Sequence, residues 1–110
     1  MINTAALLCF TFLLAAGQLL FKQTGLELRG GVMRVLTAPA FYAALALYGV
    51  ATLLWIWILS RVPLSRAYPY VALGVVLVPL ASMMMFGEQV RPGFWLGVGL
   101  IVGGIVITQL

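Results

Sequence analysis

The sequence predicts an all-α membrane protein of four transmembrane helices, a single domain over residues 1–110. Three observations carry this. Hydrophobic residues make up 65 % of the chain and charged residues 7 %, against about 45–50 % and about 25 % in soluble domains. The apolar residues fall into four uncharged runs, and every charged side chain lies between those runs or at their edges. Such a surface carries too little charge to be covered in water, so lipid is its solvent.

The first run is Ile2 to Phe21, twenty uncharged residues ending at Lys22. At the helical rise this crosses a hydrocarbon core of about 30 Å. Lys22 to Pro39 reads as a loop, broken by Gly25, Gly30 and Gly31 and wetted by Glu27, Arg29 and Arg34, with one interfacial turn at Val32 to Leu36. The second run is Pro39 to Ser60. Thr37 suits its N-cap and Pro39 its first turn, and Tyr42, Trp55 and Trp57 suit the aromatic belts.

Arg61 to Arg66 is a short connection, and Pro63 starts the next helix. The third run, Ala67 to Phe86, contains Pro69, Gly74 and Pro79. Proline removes a backbone donor and crowds the preceding turn, so this helix is expected to be kinked. Gly87 to Gly93 forms the last loop, and Phe94 to Leu110 the fourth run of seventeen residues. Gly93-xxx-Gly97 and Gly99-xxx-Gly103 put small residues four apart, the spacing that lets helix backbones approach. Gly97, Gly99 and Gly103 are therefore candidates for a dimer interface. A second copy or a paralogue is expected on separate grounds, since four thin helices cannot enclose a large head group.

Chemistry is sparse. There is no histidine, the two acids Glu27 and Glu88 are far apart, and Ser60, Ser65 and Ser82 have no base nearby in sequence. An enzyme is not expected, nor a metal site or a cofactor. The net charge of +4 sits at the predicted membrane edges, which favours anionic lipid head groups over nucleic acid. Cys9, alone in an apolar run, reads as a packing residue.

The candidate binding residues are few. Thr4, Thr11, Gln18 and Lys22 are spaced seven, seven and four apart and so share one helix face. A carboxamide in lipid needs a partner, which makes Gln18 the strongest signal of the four. Lys22 either snorkels to the interface or meets a phosphate. Arg61 and Arg66, followed by Tyr68 and Tyr70, either fix topology or hold a phosphate bidentately. Glu88 caps the fourth helix, pairs with Arg91, or receives a cationic group of a substrate.

Several stretches together carry a family resemblance. They are Ala16-Gly17-Gln18-Leu19 with Lys22-Gln23, Pro63-Leu64-Ser65-Arg66-Ala67-Tyr68-Pro69, Glu88-Gln89-Val90-Arg91-Pro92, Trp95-Leu96-Gly97-Val98 and Gly103-Gly104-Ile105-Val106-Ile107. Over nearly its whole length the chain resembles the small-multidrug-resistance-like branch of the drug/metabolite transporter superfamily. Within that branch it is most similar to the small subunits of the flippase for aminoarabinose-phosphoundecaprenol. Multidrug exporters of the branch carry a membrane-embedded glutamate in the first helix, and the match places Leu14 there. Leucine binds neither a proton nor a cation, so the resemblance implies the exporters' fold without their mechanism.

The resemblance thus implies a flippase or flippase subunit in the bacterial inner membrane, acting in lipid A modification. Its substrate would be a polyprenyl-phosphate sugar or a related anionic lipid, and its assembly a homodimer or a heterodimer with a paralogous small subunit. A small multidrug or metabolite exporter and a non-transporting accessory subunit are the alternatives. Thr11, Gln18, Lys22, Arg61, Arg66, Tyr68 and Glu88 are the residues expected to meet substrate. For orientation, Lys22, Arg29, Arg34 and Arg91 fall on one side and Arg61 and Arg66 on the other, which favours both termini in the periplasm, a population inserted in both directions being the alternative.

Overall fold

The computed structural model describes Ile2 to Leu110, and every regular element among the described residues is an α-helix. The helices are α1 (Ile2–Leu28), α2 (Val32–Thr37), α3 (Pro39–Leu59), α4 (Leu64–Val71), α5 (Gly74–Phe86) and α6 (Phe94–Thr108). Three stretches are long and apolar enough to cross a membrane: Asn3–Leu28, Pro39–Leu59, and Leu64–Phe86, which joins α4 to α5. The protein is a multi-pass membrane protein. The last apolar helix is shorter, at 15 residues, or about 22 Å of helix against a hydrocarbon core of about 30 Å.

Helix α1 runs past its expected end at Phe21. Lys22 to Leu28 is helical rather than a loop, because one snorkelling lysine and one glycine do not stop a hydrogen-bonded helix. It ends instead at Gly30 and Gly31, where Gly31 takes φ 106°, a conformation suited to glycine. The interfacial turn at Val32 to Leu36 forms as α2, held to α1 by an exposed Arg34–Glu27 pair at 3.2 Å. Thr37 does not cap α3. Its hydroxyl donates back to Met33 O at 2.9 Å, closing α2, and Ala38 holds the N-cap position with no side-chain bond. Pro39 stands in the first turn of α3 as expected.

The third apolar run is distorted, but away from its prolines. Pro69 and Pro79 lie inside α4 and α5. The break falls at Ala72 and Leu73, which keep right-handed helical angles. There Leu73, Val75 and Val76 each bond three residues back. The expected kink is thus a minor one, a locally tightened turn. Thr11 spans this break: its hydroxyl lies 2.9 Å from Leu7 O and 3.0 Å from Tyr70 O.

Helix α1 is the hub, packing on α2, α3, α4 and α5, whereas α6 leans mainly on α4. On α3 the buried residues are Ala44, Ala51 and Ile58, seven apart on one face. The two alanines let the α1 backbone come close, and Ile58 fills the space at the far end of that face. Phe10 stacks on Trp55 at 4.6 Å, so Trp55 belongs to the core rather than to an aromatic belt, while Tyr42 and Trp57 are exposed. The Cα radius of gyration is 15.8 Å, against about 13 Å for a compact domain of this length. The principal extents of 47 × 38 × 17 Å explain the excess: the chain is a plate.

Candidate functional site

Polar side chains gather at the two ends of the plate. Lys22 and Thr4 stand 18 positions apart on one continuous helix, about 27 Å along its axis. The charged groups near each therefore belong to opposite mouths and cannot grip the same phosphate together.

The first mouth is built on the second half of α1. Gly17 is buried against Tyr48 of α3, whose ring also stacks on Phe21 at 4.8 Å. Gln18 donates its amide to the Tyr48 hydroxyl at 2.7 Å, while the residue itself stays exposed. One turn on, the Lys22 ammonium lies 3.1 Å from Glu88 in the loop before α6. Glu88 thus pairs with Lys22 and not with Arg91. The reason is geometric, since the packing of α1 against α5 sets Lys22 beside the α5–α6 loop.

The Glu88 carboxyl is held below its ordinary range, first by the Ser82 hydroxyl and then by Lys22. The Ser82 proton is shared, with the Pro79 carbonyl as an acceptor at 3.0 Å, so the fixed charge of Lys22 is the firmer of the two influences. A cavity of about 600 Å³ opens here, with Ser82, Glu88, Gln89 and Phe94 on its walls.

The second mouth holds both loop arginines. Arg61 and Arg66 line a cavity of about 430 Å³ with Asn3, Thr4, Tyr70 and Gln109. Arg61 lies over the Trp57 ring at 4.4 Å, a cation–π contact that orients its guanidinium. Gln109 donates to the Arg66 carbonyl at 3.2 Å, tying the end of α6 to α4.

Two expected site residues stand elsewhere. Thr11 is buried, its hydroxyl placed between Leu7 O of its own helix and Tyr70 O beside the helix break. Its single proton bonds one of the two, so this polar group is satisfied within the protein. Tyr68 is exposed, beside Leu64 and Ser65 and away from the arginine mouth, where Tyr70 takes the expected place. Tyr48 was not singled out from the sequence. Its signal was a hydroxyl inside an apolar run, which in lipid must find a partner.

Gly99 and Gly103 are exposed on one side of α6, and Gly97 is half-buried on the other. A Cβ added at any of them would meet no neighbouring atom within 4 Å. Cys9 is exposed rather than packed.

Apolar spans with polar ends make this a multi-pass membrane protein, and the sequence comparisons place it among transporters. The chain belongs to the EamA-like transporter family, whose model matches residues 1–110. It is 38 % identical over 104 residues to a protein of Aeromonas hydrophila named probable 4-amino-4-deoxy-L-arabinose-phosphoundecaprenol flippase subunit ArnE, covering 92 % of this chain and 91 % of that one. An Escherichia coli protein of the same name is 42 % identical over 101 residues, covering 91 % of each chain. One from Salmonella typhimurium is 39 % identical over 97 residues, covering 88 % of this chain and 87 % of that one. No solved structure matches the chain.

Proposed function

We propose that this chain is one subunit of a flippase in the bacterial inner membrane. It moves an undecaprenyl-phosphate-linked sugar, aminoarabinose or a near analogue, between leaflets during lipid A modification. The observation that carries the reading is identity of 38–42 % over about nine-tenths of the chain to flippase subunits of that name. Leu14 supports it, being an uncharged residue where the resemblance to proton-coupled exporters calls for a glutamate.

The physical task is to carry a phosphate and a sugar through hydrocarbon, where unpaired polar groups cost several kcal/mol each, about 2–7 for a neutral one. Basic mouths at opposite ends of the bundle suit it. Lys22, with Gln18 beside it, receives the phosphate at one leaflet, and Arg61 and Arg66 receive it at the other. No covalent step is required. Helix α6 acts as a fourth span in a locally thinned bilayer. It joins this chain to a second copy or a paralogous small subunit through Gly97, Gly99 and Gly103, and the pair completes the pathway.

The test is reconstitution in liposomes, alone and with a paralogous small subunit, with labelled aminoarabinose-phosphoundecaprenol in one leaflet. An amine-reactive reagent that cannot cross the bilayer reads out transfer. Transfer above that of empty liposomes is expected from at least one assembly. Transfer at the empty-liposome level from both, alongside proton-coupled uptake of a quaternary ammonium dye, would replace the flippase by an exporter. The absence of both activities would leave an accessory subunit.

A further inference from the structure

The Lys22–Glu88 pair joins α1 to the loop before α6 at 3.1 Å, and its side chains remain 44 % and 41 % exposed. A pair this open contributes little to stability. Its two charges stay within reach of a ligand, beside a cavity of about 600 Å³. The opposite mouth has arginines and no carboxylate side chain among its lining residues. The two ends therefore ask different things of a head group: one takes a phosphate, the other presents both signs of charge.

We propose that Lys22 and Glu88 form a displaceable charge lock that selects a zwitterionic head group, the phosphate taking Lys22 and an amine taking Glu88. The proposal rests on the flippase reading above. Without ligand the two side chains neutralise each other. A lipid phosphate lacking an amine must break the pair and leave Glu88 without its cation, a penalty of the kind that sets specificity. A head group bearing phosphate and amine replaces both contacts at once. Ser82 and Gln89 on the cavity wall offer hydroxyl and amide groups to the sugar between the two charges. Glu88 is thus the specificity-determining residue and Lys22 the common anchor.

The test uses the full chain in lipid nanodiscs with two probes, aminoarabinose-phosphoundecaprenol and the same lipid N-acetylated at the amine. The wild type should bind the amino lipid about tenfold more tightly. Glu88→Gln should weaken the amino lipid and tighten the acetylated one, because Lys22 is released, so that the preference disappears. The swap of Lys22→Glu with Glu88→Lys keeps an ion pair and should not restore the preference; a merely structural pair would be rescued by it.

A second measurement needs no variant. Carbodiimide should cross-link Lys22 to Glu88 in the wild type, and the amino lipid should suppress the product more than the acetylated lipid does. Preference retained in Glu88→Gln, rescue by the swap, or equal suppression by both lipids would overturn the lock while leaving the flippase reading intact. Failure of the wild type to bind either lipid would overturn both.

Discussion

Gly17→Ala should destabilise the protein even though alanine is the better helix former. An added Cβ would lie 2.3 Å from Tyr48 Cε2 and 2.9 Å from Cδ2. The ring must retreat by about 1 Å to reach ordinary contact. It is not free to do so, being stacked on Phe21 and bonded through its hydroxyl to Gln18 at 2.7 Å. Overpacking costs about 1–3 kcal/mol, and an interhelical hydrogen bond in a membrane protein is worth about 0.6 kcal/mol on average. Against this, replacing glycine within a helix returns about 1 kcal/mol. The net loss is about 0.6–2.6 kcal/mol. Unfolding in mixed micelles by SDS titration, followed by circular dichroism, measures it. In a Tyr48→Ala background the clash is gone, and Gly17→Ala should become neutral or stabilising. An equal loss in both backgrounds would refute the account of Gly17 as room for the Tyr48 ring.

Four further outcomes are expected. Thr11→Val should cost about 1 kcal/mol and speed amide hydrogen exchange around Leu73 to Leu77, which hydrogen-exchange mass spectrometry reads directly. Lowering pH through the carboxylate range should open the Lys22–Glu88 contact. A depressed native pKa means that the contact's contribution is present above the unfolded carboxylate value and lost as pH falls through the native one, seen as loss of the carbodiimide cross-link's salt-sensitive fraction. Replacing Gly99 and Gly103 with Leu should shift a chemically cross-linked dimer toward monomer, and an unchanged yield would remove α6 from the interface. C-terminal fusions should be active with a periplasmic reporter and silent with a cytoplasmic one.

The helix starts at Pro39, just after Pro63 and at Phe94 follow from local signals, which sequence carries well. Proline favours the first turn, and the basic loops mark the membrane edges. The end of α1 was missed because the eye stops at the first charge, whereas the helix stops at Gly31, where the backbone turns to positive φ. The partner of Glu88 was missed for a different reason. Arg91 is near in sequence, but Lys22 is near in space, and only the packing of α1 against α5 brings it there. Thr11 shows how a residue legible as polar can have partners that are not. Its position on the polar stripe was legible, but its engagement with Tyr70 O depends on a break two residues beyond that carbonyl, displaced from both prolines. Tyr48 needed a tertiary contact to stand out from the other aromatics of α3.

The 17 Å thickness of the plate has a consequence for kinetics. Helix axes pack about 8–10 Å apart, so this thickness is about two helices, and the interior is the packed core of Leu7, Phe10, Ala51 and Ile58 rather than a chamber that could seclude a sugar. A route lined by protein on all sides would exist only while another chain covers one face. Transport would then obey mass action in two dimensions. Diluting the protein with lipid at constant total amount should lower the rate per chain, and below the dissociation density the rate per chain should fall in proportion to the surface concentration for a pair of like subunits.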